Sequence, residues 1–346
     1  MTDRSVTRRN FGLSAAGLTA VAALPGLMGS PAFAADTVRH GIQIGALGAL
    51  RTTLPDAGKK YDLTYDIKDF PDSTAVLLAI EQGALDIGNT TSQHLVRAIS
   101  EGIPVRWIAG WGGGYNVLVA RKDLGVKPND AQGLKALIDS RKQSGKPLSI
   151  GVPTGSLQHA KLAVYLKSIG VDPDKDVQVS NIPFPTHPRA LQAGEVDMAM
   201  TLSGFGALAI FKGDAYLYLH LFGGNFGKQE VGFLVSQKLI QEKSELVQRI
   251  VQSHVDAMNL FIGKPDMQVN YEKAYSRFPP PVIDMNERQF LQYNYRTNIA
   301  DIKTMARELH DLGWVKEDYS AKVDSYIDLS FLTKATGLST AELSHW

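Results

Sequence analysis

Hydroxyl side chains occupy matched places in two short segments of this sequence. Gly83–Ser92 reads GALDIGNTTS and Gly194–Ser203 reads GEVDMAMTLS, so Gly, Asp, Thr and Ser recur at the first, fourth, eighth and tenth positions. Thr90, Thr91 and Ser92 close one copy, and Thr201 and Ser203 close the other. A hydroxyl at the end of a strand donates a hydrogen bond, and a helix that follows adds backbone N–H groups with no partner inside the helix. A third set, Thr154, Gly155 and Ser156 in TGSLQH, places two hydroxyls and several amides at a strand-to-helix turn. Such residues bind an anion or simply cap the helix. Trp111 and Tyr115 in GWGGGYN, with Phe205 just after the second copy, supply aromatic surface for the apolar part of a ligand or for the core.

Signatures of catalysis are missing. There is no His-Glu-x-x-His, no Gly-x-Ser-x-Gly and no cysteine, and the eight histidines are scattered without metal-ligand spacing. GVPTGSLQH begins like a phosphate loop but lacks the lysine, and GALGAL is no dinucleotide fingerprint. The sequence therefore predicts no catalytic residue, no metal and no cofactor. Asp86 and Asp197, one in each copy, read as strand-start or capping residues.

The elements around these residues alternate between strand and helix. VRHGIQIGAL and YDLTYDIKDF read as strands, STAVLLAIEQG as a helix capped by Ser73, and ALDIGNT as the next strand. The second copy has the same neighbours: strand PLSIGV, helix TGSLQHAKLAVYLKSIG, strand DVQVSNIPF, helix HPRALQAG, then the repeated strand. That order argues two α/β lobes with parallel sheets. Asn116–Asp123 and Val231–Leu239 read as two antiparallel strands running between the lobes as a hinge, and the tail is mostly helical with FPPPV as a rigid break. The expected division is a signal peptide over 1–34, lobe 1 over 35–119 and 232–346, and lobe 2 over 120–231. In open α/β sheets ligands sit beyond the carboxyl ends of strands, so the repeat presents equivalent strand ends to one cleft.

The charge balance excludes other partners. With Arg4, Arg8, Arg9 and Asp3 removed, 33 basic and 34 acidic residues remain, which gives no basic field for nucleic acid or an anionic membrane. TRRNFGLSAAGLTAVAALPGLMGSPAFAAD has a charged start, an apolar stretch and Ala32-Phe33-Ala34, the order of a cleaved export signal. Arg8-Arg9 followed by Phe11 resembles the twin-arginine signal, and an ordinary secretory signal is the alternative. Gly12, Gly17, Pro25 and Gly26 interrupt any membrane span. Without cysteine the chain cannot be acylated as a lipoprotein, and a free monomer in a Gram-negative periplasm is the expected state.

The segments FPDSTAVLLAIEQGALDIGNTT, KPLSIGVPTGSLQH, ALQAGEVDMAM and VGFLVSQKL, in that order within Val38–Phe261, resemble the nitrate/sulfonate/taurine-type periplasmic solute-binding proteins of ABC importers. The resemblance implies a two-lobed type II periplasmic-binding-protein fold, two Rossmann-like lobes joined by a two-strand hinge. It also implies cleft positions at Ser73, Thr90–Ser92, Thr154–Ser156 and Thr201–Ser203. The loop after the first strand, often polar in that family, here reads Ala46-Leu47-Gly48-Ala49-Leu50, which argues against a small, wholly charged ligand such as nitrate. The implied partners are a small-molecule ligand, an ABC permease and its ATPase. The implied role is capture of a small organic acid, a sulfonate or carboxylate with room for an aromatic body. An enzyme of the pyrimidine-synthase kind on the same architecture and a periplasmic sensor subunit are the alternatives. Amino-terminal sequencing of periplasmic material should begin at Ala35 or a close neighbour, and changing Arg8 and Arg9 to Lys should block export. Unchanged export of that variant would leave the ordinary secretory route.

Overall fold

The computed structural model describes residues 35–45 and 47–346. The signal segment 1–34, with its cleavage site after Ala34, and Ala46 lie outside the described residues. Eleven strands among the described residues form two sheets. The first contains β1 (Asp36–Gln43), β2 (Leu63–Phe70), β3 (Ile87–Thr91), β4 (Val105–Gly113), β10 (Val231–Ser236) and β11 (Gln292–Tyr293), and the second β5 (Asn116–Arg121), β6 (Leu148–Val152), β7 (Val177–Asn181), β8 (Met198–Leu202) and β9 (Ala215–His220). The orders are β2-β1-β3-β10-β4-β11 and β7-β6-β8-β5-β9, so the first five strands of one sheet match those of the other. In each sheet three neighbouring strands are parallel and the fourth is antiparallel.

The segments read as hinge strands are these antiparallel members. β5 pairs with β8 and β9, and β10 pairs with β3 and β4, each along its whole length. The chain changes sheet in the short pieces beside them, between Gly113 and Asn116 and between His220 and Val231. Their apolar composition explains the placement: Val117 to Ala120 and Phe233 to Val235 are fully buried, which a strand exposed across a cleft would not allow.

Among the described residues twelve helices cover the sheets: α1 (Gly48–Lys59), α2 (Ser73–Glu81), α3 (Ser92–Glu101), α4 (Ala131–Gln143), α5 (Leu157–Ser168), α6 (His187–Ala193), α7 (Ser203–Phe211), α8 (Gln237–Glu242), α9 (Ser244–Asn259), α10 (Pro265–Tyr275), α11 (Pro280–Met285) and α12 (Ile299–Asp311), with two short helices at Ser330–Thr336 and Thr340–Leu343. α2 begins one residue earlier in function than its first hydroxyl suggests. The cap is Asp72, whose Oδ1 accepts from the Ala75 N–H at 2.8 Å, while the Ser73 hydroxyl turns inward to Gln43. Four apolar clusters form the core, and Leu157 and Ala160 of α5 belong to the same one as Leu95 and Val96 of α3, so the lobes touch through apolar surface.

The repeated aspartates have one job in both lobes. Asp86 accepts from the Arg39 N–H at 2.8 Å and Asp197 from the Ser149 N–H at 3.0 Å. Each ties the residue before its strand to the neighbouring parallel strand, β1 or β6. The reading as strand-start residues matches these bonds.

Several ionisable groups are enclosed by this packing. Burial raises the Glu230 carboxyl to about 7 and raises Glu287, and burial together with repulsion from Glu287 raises Glu272. Burial lowers His94, His187 and His254 to about 4. A carboxyl whose folded pKa exceeds its unfolded value keeps a proton that the unfolded chain has lost, so stability falls as pH rises between the two values. The histidines act in the opposite direction but are neutral in both states above about pH 6.5. The thermal midpoint should therefore fall between about pH 6.5 and pH 8.5. Glu272→Gln should remove part of that fall in differential scanning calorimetry, and an identical slope in the variant would contradict the assignment.

Candidate functional site

A cleft of about 460 Å³ lies where the carboxyl ends of the parallel strands of both sheets meet. Lobe 1 lines it with Gln43 and Ile44 after β1, Pro71–Thr74 before and at the start of α2, and Thr91 and His94 at the turn from β3 into α3. Lobe 2 contributes Pro153–Gln158 between β6 and α5, Asn181 at the end of β7, and Pro183–Pro185. Two helices, α2 and α5, thus point their N-termini at one space from opposite walls. The N–H groups of Ser73, Thr74, Leu157 and Gln158, first in those helices, have no partner among the described residues. Such groups carry the positive end of the helix dipole.

The side chains around them are oriented by fixed contacts. Ser73 Oγ donates to Gln43 Oε1 at 2.7 Å, which leaves the Gln43 amide N–H groups for another acceptor. Asn181 Oδ1 accepts from the Thr154 N–H at 3.0 Å, which frees its own amide N–H groups in the same way. His94 bridges two walls of lobe 1, with Nδ1 at 2.7 Å from Thr91 Oγ1 and Nε2 at 3.1 Å from Thr74 Oγ1. Burial holds this imidazole neutral, with Arg97 acting in the same direction. A neutral ring donates from one nitrogen and accepts at the other. One of the two threonines therefore always retains its O–H for the cleft.

Gly45 has φ +83°, and a Cβ there would meet the Phe205 ring at 3.3 Å, so glycine lets lobe 1 rest on lobe 2. Among the described residues no group of three or more His, Asp or Glu is placed to hold a metal ion, and no helix is long and apolar enough to cross a membrane.

Residues 56–271, more than half of the chain, match the NMT1-like family. The chain belongs to that family. A curated relative, the taurine-binding periplasmic protein of Escherichia coli (strain K12), is 28% identical over 222 residues, 63% of this chain and 64% of the relative. The chain thus matches just under two thirds of that relative's length. The alkanesulfonate-binding protein SsuA from Xanthomonas axonopodis pv. citri, solved bound to MOPS, has a TM-score of 0.69 at 16% identity, covering 84% of this chain and 98% of the other. The periplasmic nitrate-binding protein NrtA from Synechocystis PCC 6803 has a TM-score of 0.70 at 13% identity, covering 89% and 90%. These likenesses establish the periplasmic-binding-protein fold and agree with the resemblance read from the sequence motifs.

Within this NMT1-like chain the expected site residues divide into two groups. Ser73, Thr91, Thr154, Gly155 and Ser156 line the cleft. Ser156 is already committed, since its hydroxyl donates to the Pro153 carbonyl at 2.6 Å and accepts from the His159 N–H at 3.2 Å, which makes it a helix cap. Thr90, Ser92, Thr201 and Ser203 are buried behind the cleft wall, and Phe205 stacks edge-on with Phe278 at 5.2 Å. Trp111 and Tyr115 are core residues: Trp111 donates to Tyr115 Oη at 2.7 Å and packs against Phe233, Phe261 and Tyr293. The glycines beside Trp111 do not mark an open loop. They let β4 pass close to backbone, since a Cβ on Gly110 would overlap Arg296 and one on Gly112 would overlap Gln292.

Gln43, Asp72, Thr74, His94, Gln158 and Asn181 are cleft residues that sequence reading did not select. Their signal was positional. Each lies at a strand end or in the first turn of a helix. Replacing His94 by Leu removes both hydrogen bonds and leaves the buried Thr91 hydroxyl without this partner, at a cost of about 1–3 kcal/mol. The urea midpoint of His94→Leu should fall accordingly, and His94→Gln, which restores one contact, should recover part of the loss.

Proposed function

We propose that this protein is the substrate-binding component of an ABC importer. In this reading the mature chain, exported by the twin-arginine route and cleaved near Ala34, works in the periplasm as a monomer. It captures a small organic acid, a sulfonate or a carboxylate, between its lobes and delivers it to a permease driven by an ATPase. The observation that carries this reading is the pair of helix N-termini converging on one inter-lobe cleft, with free N–H groups on both walls and no lysine or arginine lining it among the described residues. Backbone dipoles and amide donors stabilise a sulfonate or carboxylate without a buried cation. The named relatives, binding proteins for taurine, alkanesulfonates and nitrate, support the same class of ligand.

Capture is a shift between open and closed states. The crossovers at Gly113–Asn116 and His220–Val231 are short enough to act as a hinge, and a ligand that touches both walls favours closure by its extra contacts. Thr74, Thr91 and Gln43 would hold the ligand from lobe 1, and Thr154, Asn181 and the α5 amides from lobe 2. Thr90, Thr201 and Ser203 would then act from behind, by packing the strand ends.

Small-angle scattering should show a smaller radius of gyration on addition of taurine or ethanesulfonate, and the added compound should be recovered chemically unchanged. Recovery of a converted product would instead support an enzyme. Thr154→Val and Asn181→Ala should each weaken binding about tenfold, the loss of one hydrogen bond to a charged group, while Thr201→Val should bind like wild type.

A further inference from the structure

One helix packs into both halves of the molecule. Tyr165 and Leu166 of α5 join the core of the second sheet, whereas Leu157 and Ala160 pack in one cluster with Val96 of α3 and Met305 of α12. Beside this second contact stands Lys161, only 6% exposed. Lysine is almost never buried this far unless it is paired. Its Nζ donates to the Phe226 carbonyl at 2.7 Å and lies 3.5 Å from Glu308 Oε2 on α12. Burial raises the Glu308 carboxyl, and Lys161 opposes that shift. Two weaker contacts run alongside. Lys167 Nζ donates to the Asp311 carbonyl at 3.1 Å, and the His159 and Trp314 rings lie 4.7 Å apart.

The same helix α12 also holds the chain where it returns between the sheets. Asp301, about two turns before Glu308, accepts from the Lys228 N–H at 2.6 Å and the Gln229 N–H at 3.0 Å. Phe226 is therefore tied to α5 and Lys228 to α12. Gly227 lies between them at φ +71°, where a Cβ would come within 2.9 Å of the Asp301 carboxyl carbon. Opening the lobes must part Lys161 from Glu308 and uncover Leu157 and Ala160. Lys161, Phe226 and Glu308 are not among the residues lining the cleft, so this contact needs no solute. We propose that Lys161 and Glu308 form a latch that holds the lobes closed whether or not the cleft is filled. Lys161 is then a positioning residue, which raises affinity without touching the solute. Its effect on affinity rests on the reading of the protein as a receptor, because the apparent Kd rises as the closed fraction falls. The latch itself does not depend on that reading.

The chain has no cysteine, so a pair of introduced cysteines can carry spin labels at chosen points. Lys68→Cys in lobe 1 and Thr186→Cys in lobe 2 are exposed positions for such a pair. Pulsed electron paramagnetic resonance of the labelled mature chain, with no solute added, should give one short distance. Lys161→Met leaves Glu308 enclosed without its cation, and opening the lobes returns that carboxylate to water. Lys161→Met and, as a milder second variant, Glu308→Gln should each add a population at longer distance. The double variant should open no further than Lys161→Met, because both changes break one contact. Circular dichroism and a cooperative urea transition verify that each variant is folded. Distances unchanged in both single variants overturn the latch. Calorimetric titration with taurine reads the effect on affinity, and Lys161→Met should weaken binding about tenfold if about a tenth of the molecules stay closed. Unchanged affinity in a variant whose lobes have opened overturns the positioning role. Failure of taurine to bind the wild type counts against the receptor reading alone, since the distances decide the latch without it.

Discussion

One buried carboxylate holds the two crossovers together. Glu230, at the end of the returning segment, accepts from the backbone N–H of Gly114 at 3.0 Å and of Tyr115 at 2.8 Å, both in the outgoing segment. Its own N–H donates to the Gly112 carbonyl at 3.2 Å, and its carbonyl accepts from the Ser92 N–H at 3.0 Å. A single residue therefore joins both passages between the lobes to the first turn of α3. Enclosing a carboxylate disfavours its charge, which is why burial raises Glu230, and the two N–H donors offset part of that cost. If Glu230 were apolar, the Gly114 and Tyr115 amides would lose their partner, leaving the bonds from His220 to the Gly114 carbonyl and from the Ser203 N–H to the Tyr115 carbonyl to hold the turn from β4 to β5. The cleft inherits its geometry from this joint, because Thr91 and His94 sit on the element that Glu230 anchors.

From that joint the site follows by elementary geometry. A parallel strand must be followed by a crossover, and here the crossover is a helix whose first turn has unpaired N–H groups. Strand ends that meet across a gap therefore bring several helix N-termini to one place. The protein has used some of these groups internally: the Thr154 N–H goes to Asn181, the Gly155 N–H to His159 and the Ala75 N–H to Asp72. What it leaves free are the first two residues of α2 and of α5. A lining of this kind is polar but carries little net charge.

The sequence made the fold legible because the fold depends on local patterns. Strand and helix alternate with clear stops at Gly83, Gly170 and Gly194, and the repeated Gly-x-x-Asp segment marks equivalent strands. The placement of β5 and β10 inside the sheets was not legible, since pairing between residues 78 to 146 positions apart leaves no periodicity beyond an apolar run. The site was half legible for a sharper reason. Neighbouring residues on a strand point to opposite faces, so of the adjacent Thr90 and Thr91 only one can reach the cleft, and register alone decides which. Thr91 faces it, while the Thr90 hydroxyl is enclosed with no partner among the described residues. Trp111 shows the converse error, where glycines required by a close backbone crossing looked like flexibility.

The same register explains why two matched lobes build an unmatched site. The tripeptide Thr90-Thr91-Ser92 corresponds to Thr201-Leu202-Ser203, so the position that in lobe 1 presents a hydroxyl to His94 and the cleft presents leucine in lobe 2. Leu202 is buried, and its Cδ1 would lie 3.8 Å from a Cβ on Gly45, which makes it a contact for the β1–α1 loop. Lobe 2 therefore forms its wall from the turns after β6 and β7, with Thr154 and Asn181. The flanking Thr and Ser are buried at strand ends in both lobes. The middle position thus differs between the lobes: Thr91 lines the cleft, and Leu202 packs near Gly45. The echo between the segments records a shared fold, and the lining of the cleft differs where the echo breaks.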